Sequence, residues 1–219
     1  AAQRARARGG KGSAGKGEVA AEEPIPVTEA LAQLESMIGL EPVKQQVRAI
    51  AAAIEAARLR ADAGYSVDRP LRHFVFSGPP GTGKTSVART LATIFHSFGL
   101  LPTARVVEAS RADLVGEYLG ATAIKTNELV DRALGGVLFI DEAYSLVNEG
   151  DGQPDRFGNE AVQTLLKRAE DDRDRLVIIL AGYEAEMDRF LASNPGLASR
   201  FATRISFPSY TADELRRIA

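Results

Sequence analysis

The sequence predicts an α/β fold, a five-stranded parallel sheet packed between helices. Three observations carry that expectation. Short, continuously apolar runs alternate with longer stretches of helical periodicity from residue 73 to residue 207, and strands that are apolar throughout belong to sheets covered on both faces. The first run, HFVF (73–76), leads into GPPGTGKT (78–85), a glycine-rich segment that opens a helical stretch. A later run, VLFIDE (137–142), ends in two adjacent acids, at the strand edge that faces the ligand crevice in parallel sheets.

Composition narrows the chemistry. The 219 residues are 45% hydrophobic and 26% charged, enough apolar mass for a real core in one large domain or two small ones. A net charge of -2 directs the chain to no polyanionic partner. The absence of cysteine excludes disulfides, thiol catalysis and thiolate metal sites, and suits a reducing compartment. The longest apolar run lies in RLVIILAG (175–182), far short of the roughly 20 residues a membrane-spanning helix needs. No apolar signal stretch opens the chain. The expectation is a cytoplasmic protein without direct membrane insertion.

The elements follow in order. Residues 1–27 are rich in Gly, Ala and Arg, then acidic, then bracketed by proline, and bury too little apolar surface to fold alone. They read as a flexible linker, which implies something attached upstream. The alternative is a basic arm built on Arg4, Arg6, Arg8, Lys11 and Lys16, with no aromatic residue among them to stack on bases. Residues 28–210 read as one α/β domain. EPVKQQVRAIAAAIEAARLRADAG (41–64) sets Val43, Val47, Ile50 and Ile54 on one helical face, with Pro42 in its first turn and Gly64 at its end. Strands are expected at 73–76, 105–109, 136–141, 175–182 and 203–207, and helices at 84–98, 122–134, 159–171 and 184–192. TADELRRIA (211–219) opens with a capping box of Thr211 and Glu214. A helix just capped should run on, so this segment reads as the start of a further domain.

GPPGTGKT fits G-x-x-x-x-G-K-[ST] at the strand-to-helix junction the motif requires. Phosphates are acceptor-rich anions. Gly78, Pro79, Pro80, Gly81, Thr82 and Gly83 form a backbone that can curl its N–H groups around them, and the helix N-terminus adds a favourable field. Lys84 would reach the β- and γ-phosphates of ATP, and Thr85 would offer its hydroxyl to Mg²⁺. Asp141 would hold the Mg²⁺ through water, and Glu142 would orient and deprotonate the attacking water, converting ATP to ADP and phosphate. The competing readings are a chance glycine turn and an acidic strand end capping the next helix. Finding both motifs in one chain, in this order, weighs against each. His73 and His96 suggest no second ligand and read as structural or surface residues, with no histidine-based catalysis or transition-metal site.

On these motifs the sequence resembles the AAA+ ATPases over residues 36–219. The resemblance implies a P-loop NTPase core with the family's sheet order 5-1-4-3-2 and a C-terminal helical lid, largely missing, of which 211–219 would be only the start. MIGLEPVKQQV (37–47) is similar to the segment that lines the adenine pocket, which makes Ile38 and Gly39 base neighbours. DLVGEYLGATAIKT (113–126), GGVLFIDEAYSL (135–146), LVIILAGY (176–183) and SNPGLASRF (193–201) resemble the CbbX/CfxQ-like clade. The stretch from 135 to 183 is most similar to the EccA-type ATPases of type VII (ESX) secretion systems, in which an N-terminal helical-repeat domain precedes the ATPase.

Proteins of this kind form rings, usually hexamers, and project an aromatic–hydrophobic–Gly tip into the pore after the second strand. Tyr118, Leu119 and Gly120 stand at that place. An aromatic face grips extended chain by apolar contact without choosing sequence, and Gly116 and Gly120 would let the tip swing. The alternative is that Tyr118 and Leu119 fold back onto the sheet. Residues 149–160 lie where a second pore loop would be. Arg200, in SNPGLASRF, matches the arginine finger that reaches a neighbour's γ-phosphate, with Arg204 second; the alternative is a surface arginine at a strand entrance. Two departures stand out. Tyr183 occupies the strand end where many relatives carry a polar first-sensor residue, and the second-sensor arginine belongs to the lid.

The resemblance therefore implies an ATP-driven, ring-forming remodelling enzyme of a type VII secretion system, acting on protein substrates and secretion-system components. Its rivals are a rubisco-activase-like CbbX protein and a nucleotide-gated assembly scaffold without required turnover. A DNA-handling ring is disfavoured by the near-neutral charge and aromatic tip.

Overall fold

Five strands form a single parallel sheet. They are β1 (Phe74–Ser77), β2 (Val106–Ala109), β3 (Val137–Ile140), β4 (Val177–Gly182) and β5 (Thr203–Ser206), in the order β2-β3-β4-β1-β5. This is the expected 5-1-4-3-2 order read from the other edge. The computed structural model describes residues 23–66, 73–118, 120–147 and 155–218. Leu119, most of the expected linker and part of the 149–160 segment lie outside the described residues.

Every residue of β1, β3 and β4 is buried, which explains why these runs read as continuously apolar. The edge strands β2 and β5 are only partly covered. Alternate side chains feed two cores. Phe74, Phe76, Phe139 and Ile179 face one core; Val75, Leu138, Ile140 and Ile178 face the other.

The first core is roofed by α1 (Val27–Glu35), α2 (Glu41–Asp62) and α3 (Lys84–Ser97). In α2 the buried stripe is Val43, Val47, Ala51, Ile54 and Ala57, with Ile50 only at its margin. The chain stops helical winding at Gly64, whose φ of +83° a side chain would resist. α1 adds a helix to those expected from the sequence. At nine residues it gives only two fully buried positions, Ala30 and Leu34, and no side-chain cap marks its start.

The second core lies under α4 (Arg111–Leu114), α5 (Ala121–Ala133), a 3₁₀ turn at Ala143–Val147, α6 (Arg156–Asp171), α7 (Glu184–Ala192) and α8 (Pro195–Arg200). Asp155 caps α6 by accepting from Gly158 N at 2.9 Å, so the helix begins earlier than the periodicity indicates. Asn194 caps α8 through Gly196 N at 2.8 Å, with Pro195 in the first turn. The final helix, α9 (Ala212–Ile218), begins with the expected capping box, in which Thr211 N and Oγ1 both donate to Glu214.

His73 pins three elements. Its Nε2 donates to Ala169 O on α6 at 2.9 Å and its Nδ1 accepts from Ile178 N on β4 at 3.0 Å. Burial lowers its pKa, the nearby Arg200 charge adds to that, and the Ala169 bond and Glu170 only partly oppose them. Among the described residues no helix is long and apolar enough to cross a membrane.

Candidate functional site

The sheet order brings three strand ends together. Because β4 lies between β1 and β3, the loop after β1, the acids after β3 and the end of β4 meet at one edge. Gly78 N donates to Gly182 O at 3.1 Å, carrying the β1–β4 ladder one step beyond the strands. Gly78 has no room for a side chain: a Cβ there would sit 2.3 Å from Phe207 O. Its φ of +151° is equally hostile to one. Past it, Thr82 Oγ1 donates to Pro79 O at 2.8 Å, tightening the loop, and Gly83 starts α3 in a left-handed conformation.

Lys84 folds back over this loop. Its Nζ donates to Pro79 O at 2.7 Å and to Gly78 O at 3.0 Å. Partial burial lowers its pKa, and the charge of Asp141 pulls the other way. Asp141 continues the β2–β3 pairing through its N–H to Ala109 O at 2.9 Å, and its Oδ1 accepts from Glu142 N at 3.0 Å. Glu142 itself takes φ +47°, a left-handed conformation uncommon for a residue with a side chain. The chain then enters the 3₁₀ turn, with Ser145 N donating to Glu142 O at 2.8 Å.

These groups line a cleft of about 360 Å³: the 78–83 loop, Lys84, Thr85, Asp141, Glu142, Gly182 and Tyr183. A second hollow of about 260 Å³ toward β2 shares Thr85 and Asp141 and adds Glu108, Ser110 and Asp113. The donor set fits a polyphosphate. An ammonium bonded to two neutral carbonyls exchanges them readily for anionic oxygens, which make stronger charge-assisted bonds. Thr85 and Asp141 offer the oxygen ligands a hard divalent cation takes.

Other expected site residues lie elsewhere. Ile38 and Gly39 do not line this cleft. Gly39 lies against the Glu214 carboxylate of α9, while the next residue, Leu40, reaches the loop at Gly83. Arg200 is also outside the cleft. Its side chain is 34% exposed, its Nε stands 3.6 Å from Glu170 Oε2, and that nitrogen has no hydrogen-bond partner among the described residues. Arg204 is paired with Asp188 on α7 at 2.5 Å.

Tyr118 is 74% exposed and does not fold onto the sheet. Its loop is tighter than its glycines imply. Gly116 N donates to Thr122 Oγ1 at 3.0 Å, and a Cβ at Gly116 would stand 2.7 Å from Ala121. Gly116 is therefore a close-approach residue and not a swivel. Lys125 Nζ caps the end of α4 through Ala112 O and Val115 O, and Ala121 N closes the turn on Tyr118 O at 3.0 Å.

Three residues near the site gave no signal of a role in the sequence. Tyr210 directs its hydroxyl to Thr82 O at 3.4 Å. Arg111 donates to Ser145 O at 2.7 Å and pairs with Asp155 at 2.5 Å. Tyr144 packs beside Tyr183 with ring centroids 6.0 Å apart, and burial, then the nearby Glu142 charge, push its pKa up to about 12. Each depends on contacts across the fold that no local pattern records.

Residues 74–209 match the family model described as "ATPase family associated with various cellular activities (AAA)". The chain belongs to this AAA family. It is 53% identical over 193 residues to the ESX-1 secretion system protein EccA1 of Mycolicibacterium smegmatis and of Mycobacterium tuberculosis, covering 88% of this chain and 34% of theirs. It is 51% identical over 197 residues to the plasmid protein CbxX of Cupriavidus necator, covering 88% of this chain and 61% of that one. The chain thus spans about a third of the length of the EccA1 relatives. Among solved structures, the FIGL-1 AAA domain in complex with ADP superposes with a TM-score of 0.57 at 23% identity, over 84% of this chain and 57% of that one, a likeness of fold.

Proposed function

We propose that this chain is the ATPase domain of a ring-forming remodelling enzyme of a type VII (ESX) secretion system. The observation that carries the ATPase reading is the meeting of Lys84, Thr85, Asp141 and Glu142 in one cleft. The secretion assignment is supported by 53% identity to EccA1 proteins named for ESX-1.

In this reading the 78–83 loop wraps the phosphates, and Lys84 leaves the Gly78 and Pro79 carbonyls to bind the β- and γ-phosphates. Thr85 and Asp141 hold Mg²⁺, which neutralises charge on the phosphate oxygens. Glu142 orients and deprotonates the attacking water. Ile38 and Gly39 stand beside the adenine. Residues 28–210 form the ATPase domain, residues 1–27 link it to a preceding segment, and 211–219 begin the helical lid. Arg200 serves the neighbouring subunit's site in a hexamer, with its unpartnered Nε and long contact to Glu170 leaving it ready to turn outward. Tyr118, with Leu119 and Gly120, grips protein substrate in the pore. The enzyme works in the cytoplasm, on secretion substrates and system components and not on nucleic acid.

The 51% identity to CbxX favours a second reading, a rubisco-activase-like enzyme using the same cleft and tip. One experiment tests both: ATP turnover measured with an ESX substrate complex and, separately, with an inhibited carboxylase. Stimulation by the ESX complex that Tyr118→Ala abolishes, with basal turnover kept, supports the first reading. Stimulation by the carboxylase alone replaces it. Stimulation that survives Tyr118→Ala removes the tip from the mechanism.

A further inference from the structure

Resting on the reading of the cleft as an ATP site and of Tyr118 as the grip on substrate, we propose that Arg111 couples the two. Its guanidinium joins the turn that carries Glu142 to the short helix that leads to Tyr118.

The turn after Glu142 is held from outside the cleft. Ser145 is bonded at both ends: its N–H donates to Glu142 O at 2.8 Å, and its carbonyl accepts from Arg111 Nη1 at 2.7 Å. One residue on, the Leu146 carbonyl lies so close to Gly158 of α6 that no Cβ fits between them. The 3₁₀ turn is thus gripped at consecutive carbonyls, by Arg111 and by the first turn of α6. Arg111 and α6 are themselves joined. Arg111 Nη2 pairs with Asp155 Oδ2 at 2.5 Å, while Asp155 Oδ1 accepts from Gly158 N at 2.9 Å. With Asp155 only 12% exposed, water screens this pair less than a surface one.

The same arginine opens α4, which runs straight to the Tyr118 turn. At four residues, α4 is fixed at its start by the Ser110–Asp113 capping box and at its end by Thr126, whose Oγ1 donates to Leu114 O at 3.0 Å. Val115 N returns to Arg111 O at 2.9 Å, and Gly116 N, two residues before Tyr118, donates to Thr122 Oγ1 at 3.0 Å. From Glu142 O to Gly116 N each link is a hydrogen bond or a turn of helix. Glu142 takes φ +47°, a conformation that its surroundings must impose. Filling the cleft therefore loads Ser145 and, through its carbonyl, Arg111. A planar guanidinium holds both its partners at once, so it passes that load to α4 instead of yielding at one bond. The coupling is reciprocal: chain held at Tyr118 acts back on the cleft by the same factor.

Amide exchange on the intact protein, with and without a non-hydrolysable ATP analogue and Mg²⁺, tests this. In the parent, the analogue should slow exchange at 78–85 and change it at 114–118 by about fivefold or more, the lower end of ordinary coupling between sites. Arg111→Met keeps an apolar stem and removes both bonds. It should retain the response at 78–85, with analogue affinity within about twofold of the parent, and lose the response at 114–118. Because Arg111→Met strands the Asp155 carboxylate, the double variant Arg111→Met/Asp155→Asn, which can still cap α6, should show the same split without that charge. A merely structural arginine would raise exchange at 114–118 with and without the analogue alike, leaving the response in place. A response at 114–118 that survives in either variant, or that is absent in the parent while 78–85 responds, overturns the proposal. If the analogue changes exchange at neither segment of the parent, the ATP-site reading fails and this inference with it.

Discussion

At Lys84 one ammonium group connects the loop's own architecture to its ligand. Its two bonds to Gly78 and Pro79 carbonyls hold the loop folded around the place a phosphate would take. Lys84→Ala should therefore weaken ATP binding by about 100-fold or more, the scale of a lost charge-assisted contact, with the fold intact by circular dichroism. Binding titrated with a fluorescent ATP analogue checks this; retained affinity would refute the assignment. His73 gives a second residue-scale expectation. Its folded-state pKa lies below the ordinary value near 6.5, so its contribution to stability is complete above that pH. It is lost as pH falls toward the folded value, because the unfolded chain takes up the proton first. Protonation would also turn Nδ1 from acceptor to donor against Ile178 N–H. Urea unfolding midpoints should drop between pH 6.5 and 5, and His73→Gln should flatten that segment of the profile. The residues of GPPGTGKT and the Asp141–Glu142 pair were legible in the sequence because their spacing along the chain is itself the signal. The contacts of His73, Tyr144 and Tyr183 were not, because they exist only once β4 lies between β1 and β3.

At the scale of elements, α4 and the Tyr118 turn behave as one clamped unit. Arg111 ties α4 to the 3₁₀ turn through Ser145 O and to the start of α6 through Asp155. Thr122, Lys125 and Thr126 fasten the same unit to α5. The 3₁₀ turn begins directly after Glu142, so a single arginine links the candidate catalytic turn, the Tyr118 segment and α6. Arg111→Ala should raise amide exchange at 110–118 and 155–159, with the central strands unchanged; uniform protection would contradict the clamp. Gly116→Val should disturb the same unit, since its Cβ has no space against Ala121 and Thr122. The long helices and all five strands were legible from periodicity. The helices α1, α4 and α8 were not. At four and six residues α4 and α8 are too short for a repeating face, and α1 starts with no side-chain cap to mark it, so packing on neighbours sets its place.

At the scale of the whole molecule, the sheet order makes the cleft. Parallel strands of a doubly covered sheet point their C-terminal ends to one edge, and the order β2-β3-β4-β1-β5 places the phosphate loop and the acids on either side of β4. The parallel, doubly covered sheet was legible from the alternation of apolar runs with helical stretches, whereas its strand order was expected only from the family resemblance. A ring is an expectation from resemblance alone, since its interfaces would involve other copies of the chain. With Arg200 proposed to complete a neighbour's site, activity should need assembly. The most direct measurement is ATP turnover by the intact protein against its own concentration, with Glu142→Gln as control. Specific activity that rises steeply with concentration and vanishes in the control is the expected result. Tight ATP binding with no turnover at any concentration, or specific activity independent of concentration, would contradict it.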